Sequence, residues 1–288
     1  MTHSPSRLIY GCMRLPTHDL AACRQILQAC LDVGINHFDQ ADIYGGGQCE
    51  KAFGDTWKHM GVQRHEIVLT SKCGIVLNGQ PHPASPKRYD FSRAHIVTSV
   101  ENSLRRLDTD YLDQLLLHRP DFLMDPHEVA EAFSQLQQSG KVRNFGVSNF
   151  TRSQVDLLNG ALQETVIAHQ SEFSLLNLKS LEDGTLDQCM AQGIQYQAWS
   201  PLAGSFGEAT DSQRARLQQE LVIQAEKYQL ESWLVALAWV LKHPARIHPL
   251  LGTTRPERIL SSISALEIDY HREDWYALLE ASRGVEVA

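Results

Sequence analysis

INHFD (35–39), IVLTSK (67–72) and LDQLLLH (112–118) are short apolar segments that each end on an ionisable side chain: Asp39, Lys72 and His118. The first runs on through a short connection to Tyr44. Apolar runs bounded by breakers read as strands buried in a parallel sheet. In a (β/α)8 barrel the C-terminal ends of all strands open on one mouth, where catalysis takes place. Four residues far apart in the chain then converge on one small site. A phenol, an ammonium, a carboxylate and an imidazole suit proton transfer to a carbonyl oxygen.

The rest of the chain follows the same alternation. Strands are expected at 8–13, 35–39, 67–71, 112–118, 144–147, 166–170, 194–199 and 248–251. Helical patterns lie between them at 19–33, 49–60, 92–107, 126–138, 151–162, 185–191 and 212–243, the last broken near 230–232. Eight strands alternating with helices predict a parallel sheet. A (β/α)8 barrel uses about 250 residues, so a single TIM barrel domain takes up the whole of 1–288. Asp125-Pro126 and Asn149-Phe150-Thr151 read as helix starts, and Gly34 and Gly140 as helix stops. No Pro/Gly/Ser-rich linker divides the chain. The first strand ends GCMRL, without the GxGxxG turn of a doubly wound dinucleotide fold. Gly45-Gly46-Gly47 reads as a tight turn into the next helix rather than a phosphate cradle. The stretches 74–90 and 202–211 follow strands and are expected to overhang the mouth as functional loops.

Composition narrows the function classes. The 288 residues carry a net charge of −8 with both signs interspersed, which argues against a nucleic-acid surface and offers no polybasic membrane patch. No apolar run approaches the ~20 residues of a membrane span, and the N-terminal MTHSPSRLIYG lacks a signal-peptide core. The six cysteines show no CxxC or zinc spacing and read as reduced thiols, mostly buried, of a cytoplasmic protein. Cys23 and Cys30 share one helix face. Cys73, beside Lys72, reads as a packed thiol rather than a reactive one. The thirteen histidines form no HExxH or paired-ligand spacing, which disfavours a metal-dependent barrel hydrolase.

FDQADIYGGG, SKCG, YLDQLLLHRP, GVSNF, AHQSE, QAWSPLAG and LLGTTRPERI, in this order and spacing, resemble the aldo-keto reductase superfamily from about Gly11 to Ser264. The GGGQCE and HRPD wording looks most like a short-tailed bacterial branch of oxidoreductases. The resemblance implies a (β/α)8 barrel that reduces aldehydes and ketones with NADPH, without a metal and without a Rossmann domain. It gives Tyr44, Asp39, Lys72 and His118 the roles of a catalytic tetrad. Tyr44 would protonate the alkoxide formed by hydride addition, and a free phenol, with a pKa of about 10, is too weak an acid for easy exchange near neutral pH. An ammonium near 4 Å is worth ~4 kcal/mol at an effective dielectric of 20. Lys72 is therefore expected to lower the Tyr44 pKa by up to ~3, less the desolvation of both groups. Asp39 would keep Lys72 charged, and His118 would donate to the substrate oxygen.

The same resemblance implies a cofactor set for NADP(H). Ser148, Asn149 and Gln170 would hold the nicotinamide carboxamide, and Trp199 would stack on its ring. Ser200, Leu202 and Gly204 would line the pyrophosphate with backbone N–H groups. Thr253, Thr254 and Arg258 match positions that grip the adenosine 2′-phosphate, with Arg258 favouring NADPH over NADH. Two departures stand out: Gly252 replaces a common lysine, and Ser261 and Ser262 replace a common Glu-Asn pair. Arg119 stands where many members carry Trp. It reads either as a contact for an anionic substrate group or as the partner of Asp121 in a structural ion pair. The short tail after Trp275 leaves substrate choice to the two long loops. The implied partner is a small-molecule carbonyl compound. A redox-sensing, nicotinamide-binding subunit with little turnover is the alternative, and single-turnover oxidation of bound NADPH by a simple aldehyde separates the two.

Overall fold

The computed structural model describes residues 5–203, 205–206 and 211–288. Eight parallel strands close into a barrel: β1 (Ile9–Gly11), β2 (His37–Asp39), β3 (Val68–Cys73), β4 (Leu112–His118), β5 (Val142–Ser148), β6 (Ala168–Glu172), β7 (Gln195–Trp199) and β8 (His248–Leu251). Each strand pairs with the next in sequence, and β1 closes the ring on β8 with Ile9 opposite Leu250. The (β/α)8 TIM barrel expected from the strand pattern is therefore the fold. Among the described residues no helix is long and apolar enough to cross a membrane.

Helices begin and end where local chemistry dictates. Asp19 and Ser92 cap the helices Leu20–Asp32 and Arg93–Leu107 by accepting from Ala22 and His95 N–H. Thr151 and Gln154 form a reciprocal capping box ahead of Arg152–Asn159. Asp125 caps Pro126–Gln138, with the proline in its first turn. The segment expected as one broken helix is two, Ser212–Tyr228 and Ser232–Lys242. The tail is more structured than its length suggested. Arg272–Arg283 is a helix packed on both of these. Trp275 stacks on Trp239 at 5.0 Å, and each indole N–H donates to the other's backbone carbonyl.

The two faces of the strands differ. Tyr10, Phe38, Leu69, Leu115, Leu117, Phe145, Val147 and Tyr196 join the apolar layer under the helices. Phe133 of Pro126–Gln138 stacks on Phe145 at 3.9 Å. The alternate residues point into the barrel, and beside apolar Ile9, Leu116, Ala168 and Leu250 that interior carries a polar layer. Gln197 of β7 donates to Gln114 of β4 at 3.0 Å, although these strands are not neighbours in the sheet. Such a contact exists only across the barrel interior. Most barrels fill this space with branched aliphatic side chains; here it holds buried His37, Thr70, Gln114, Gln170 and Gln197.

Stretch 74–90 is not wholly irregular. Ile75–Val76 and Arg88–Tyr89 form a two-stranded antiparallel ribbon rising from the end of β3. Phe91 closes over Gly74, where a Cβ would lie 2.1 Å from the ring, so only glycine fits. Asp121, in the loop after β4, accepts from the Phe91 N–H at 3.1 Å and ties the two loops together.

Buried imidazoles give this fold a pH dependence. Burial above all pushes His37 down to about 3, and His169 and His248 down to about 4. Below the ordinary histidine pKa of about 6.5 the unfolded chain takes up protons that the folded chain refuses. Stability is therefore complete above that value and falls as the pH drops. His118 is likewise held well below the usual value, and His95 and His243 are shifted the same way. Asp42 acts oppositely: burial and then Glu50 push its carboxyl up to about 7, which cancels one of the four strongly shifted histidines. About three protons remain, and each is worth about 1.4 kcal/mol per pH unit. Urea unfolding should thus show stability falling by roughly 4 kcal/mol per unit between pH 6 and pH 5; a flat profile across that interval would refute the assignment.

Candidate active site

Asp39 ends β2 opposite Thr70, and Lys72 lies two residues further along neighbouring β3, one before its end, so the two strands deliver both groups to the same part of the interior. Tyr44 comes from the turn that follows β2. Gly45, Gly46 and Gly47 all have positive φ, at 57°, 64° and 89°. Three left-handed residues in succession fold the chain back within four positions, which other residues resist. The triplet is thus the turn read from the sequence, and it carries the chain from Tyr44 straight into the helix Gln48–Trp57.

Lys72 is 1 % exposed. Its ammonium donates to Asp39 Oδ2 at 2.6 Å, to the Gln40 carbonyl at 2.8 Å and to the Tyr44 hydroxyl at 2.9 Å. All three of its protons are committed. The Tyr44 oxygen accepts from Lys72, so the phenol keeps its own proton free to donate elsewhere. His118 ends β4, and its ring meets the Tyr44 ring edge-on at 6.0 Å between centroids. All four residues singled out in the sequence are therefore together.

The electrostatics correct one expectation. The Tyr44 pKa is raised: burial outweighs the Lys72 charge, and the Asp39 carboxylate adds to burial. The resting phenol is a firmly protonated donor. For Lys72, burial opposes the ammonium, but Asp39 and Tyr44 together outweigh it and raise its pKa. His118 is held well below the usual imidazole value, first by burial and then by Lys72, Arg119 and Lys87, so it is neutral. Cys73 is a packed thiol, pushed well up by burial and then by the Asp42 and Glu50 charges.

A second set adjoins the tetrad. Gln170 donates through Nε2 to Asp39 Oδ1 at 2.8 Å and to Gln197 Oε1 at 3.0 Å. Both amide protons are used, which leaves Gln170 Oε1 as an acceptor only. Asn149, at φ 60°, donates to Ser148 Oγ at 2.7 Å and accepts from the Trp199 indole at 3.1 Å. The Ser148 hydroxyl proton and the second Asn149 amide proton remain available as donors. Two donors beside one acceptor match a primary carboxamide, which has one carbonyl oxygen and one NH2 group. Gln197 is held in turn by Gln114 and Gln195, and Gln114 by Thr70. Sequence reading missed this chain of amides. Its signal was alternation: Gln114 lies four residues before His118, and Gln197 two before Trp199.

Ser200, at φ 49°, and half-buried Leu202 continue from β7; Gly204 lies outside the described residues. Thr253, Thr254 and Arg258 follow β8. The Tyr10 hydroxyl donates to the Thr253 carbonyl at 3.1 Å, and Thr253 Oγ1 accepts from the Arg255 N–H. Arg258 is exposed and makes no ion pair among the described residues. At Gly252, Arg14 Nη1 donates to the carbonyl at 3.4 Å, which brings a cation to the position where a lysine was expected. The hydroxyls of Ser261 and Ser262 donate to carbonyls of their own helical segment.

Arg119 does not pair with Asp121. Both Asp121 oxygens accept backbone N–H groups, from Phe91 and Leu123. The guanidinium instead lies over the Trp199 ring at 5.8 Å.

Comparison with known proteins agrees with this geometry. The model of the Aldo/keto reductase family matches residues 7–283. The chain is 42% identical over 287 residues to the uncharacterized oxidoreductase YcsN of Bacillus subtilis (strain 168), across 98% of this chain and 96% of the relative. It is 39% identical over 293 residues to a 6-dehydroglucose reductase of Agrobacterium fabrum, across 98% of this chain and 96% of that one. Its fold matches the holo form of an aldo-keto reductase from Bacillus halodurans with a TM-score of 0.83 at 24% identity, across 98% of this chain and 94% of that chain. With a family model matched over nearly its whole length, the chain belongs to the aldo/keto reductase family of oxidoreductases.

Proposed function

We propose that the protein is an NADPH-dependent reductase of aldehydes or ketones, with Tyr44 as general acid. The observation that carries this reading is the saturated Lys72 ammonium, which turns the Tyr44 proton outward. When bound, NADPH supplies the hydride. Ser148 and Asn149 offer protons to the carboxamide oxygen, Gln170 Oε1 accepts from its amide, and Trp199 supports the ring. Neutral His118 donates to the substrate oxygen and orients it. As negative charge grows on that oxygen, Tyr44 releases its proton to it. Lys72, already in contact, stabilises the phenolate left behind, and Asp39 keeps Lys72 charged. The raised resting pKa of Tyr44 suits this order, because the phenol stays protonated until the alkoxide demands its proton. Ser200, Leu202 and Gly204 are proposed to line the pyrophosphate. Thr253, Thr254 and Arg258 are proposed to hold the 2′-phosphate, which suits Arg258, exposed and without an ion pair among the described residues. The setting is read as the cytosol; six buried free thiols suit a reducing compartment. The relative named 6-dehydroglucose reductase makes a sugar-derived aldehyde one of the first substrates to try.

Tyr44→Phe removes the proton donor alone. Turnover of a simple aldehyde should fall about 10³-fold or more while NADPH still quenches protein fluorescence with its wild-type affinity. A kcat within a few-fold of wild type would take the role from Tyr44. Arg258→Glu should raise the KM for NADPH at least about tenfold and leave that for NADH nearly unchanged; equal effects on both would remove Arg258 from the 2′-phosphate. Gln197→Leu frees the Gln170 amide, so the dissociation constant for NADPH should rise about five- to tenfold. Unchanged affinity would mean that Gln170 needs no such support.

A further inference from the structure

We propose that Arg119 and Lys87 form an anion subsite on the rim of the mouth, which selects carbonyl substrates carrying a carboxylate. This rests on the reductase reading above and names the substrate class for the same site.

The first observation is backbone strain. Arg119 has φ 109°, a region that residues with a Cβ rarely occupy. Its N–H returns to the Leu117 carbonyl at 3.2 Å, closing a three-residue turn around His118. Strain of this kind persists where surrounding structure holds it, and it concentrates at functional sites. Here the turn carries the chain away from His118 and sends the Arg119 side chain across to Trp199.

The second observation is charge accounting. The chain has 34 acidic and 26 basic residues, yet neither Arg119 nor Lys87 has a carboxylate partner among the described residues. Asp121 would be the nearest acid in sequence, and backbone donors take both its oxygens. Lys87 leads into Arg88 of the ribbon that rises from β3, next to β4 and its terminal His118. Both cations help hold His118 neutral, after burial and Lys72. The exposed Arg119 guanidinium, on the residue next to the hydrogen-bond donor for the carbonyl, leaves a place for a negative group a few bonds from the reacting carbon, and Lys87 adds positive field from the ribbon. The planar Arg119 fork, already leaning on an indole, suits a carboxylate held by two parallel hydrogen bonds.

The test uses 4-oxobutanoate and its neutral methyl ester, which present the same aldehyde. Wild type should favour the acid at least about tenfold in kcat/KM, and the preference should shrink as salt is raised. Arg119→Leu should reduce the acid-to-ester ratio at least about tenfold, through the KM of the acid. Arg119→Lys should restore part of it, and Lys87→Ala should reduce the ratio about threefold. A wild-type enzyme that takes the ester as readily as the acid would overturn the proposal, as would equal losses on both compounds in Arg119→Leu. If neither aldehyde is reduced, the reductase reading fails separately. The subsite is then judged by calorimetric titration of the NADPH-loaded protein with succinate: binding that Arg119→Leu abolishes upholds it, and no binding to wild type overturns it.

Discussion

One ammonium, sealed inside the barrel, sets the terms for the rest of the site. Removing an ion such as Lys72 from water costs several kcal/mol even after relaxation. The fold offsets this by giving each of its three protons an acceptor. Asp39 brings a charge that must itself be satisfied, and Gln170 meets its second oxygen. Gln170 needs an acceptor for its other proton and finds Gln197, which leans on Gln114 and Gln195. The polar interior is thus a chain of obligations that begins at one buried charge. A partly satisfied version of it would be worse than an aliphatic core.

That chain also explains why donors and acceptors at the mouth have fixed roles. An isolated glutamine can turn its amide either way. Gln170 cannot, because both its N–H groups are held from below. In the same way Tyr44 cannot offer its proton to Lys72, because an ammonium donates and has no lone pair to accept. Orientation at the reacting surface is decided several residues deeper, where no substrate reaches.

The barrel and the tetrad were legible in the sequence because strand ends are marked by a change from apolar to ionisable residues. β4 and β8 fall on the expected bounds, 112–118 and 248–251. Other features were hidden for physical reasons. An apolar segment such as IVLTSK does not reveal which of its residues face inward, so the place of Thr70 in the polar interior was not read from it. The direction of the Tyr44 shift depends on how far burial outweighs one favourable charge, which no spacing reveals. The pairing of Arg119 with Asp121 failed because sequence proximity does not show that Phe91 and Leu123 claim that carboxylate first. The terminal helix was different: Trp275, Leu278 and Leu279 have helical spacing, and its signal was present but short.

Ring closure has a consequence for how this chain comes to be folded. β1 is the first strand made and β8 the eighth, and Ile9 meets Leu250 only after about 240 intervening residues have been added. Until then β1 and the most recently made strand each present an unpaired row of backbone donors and acceptors, the kind of edge that recruits neighbouring chains. A chain ending before β8 cannot close the ring, and whatever sheet it forms keeps two adhesive margins.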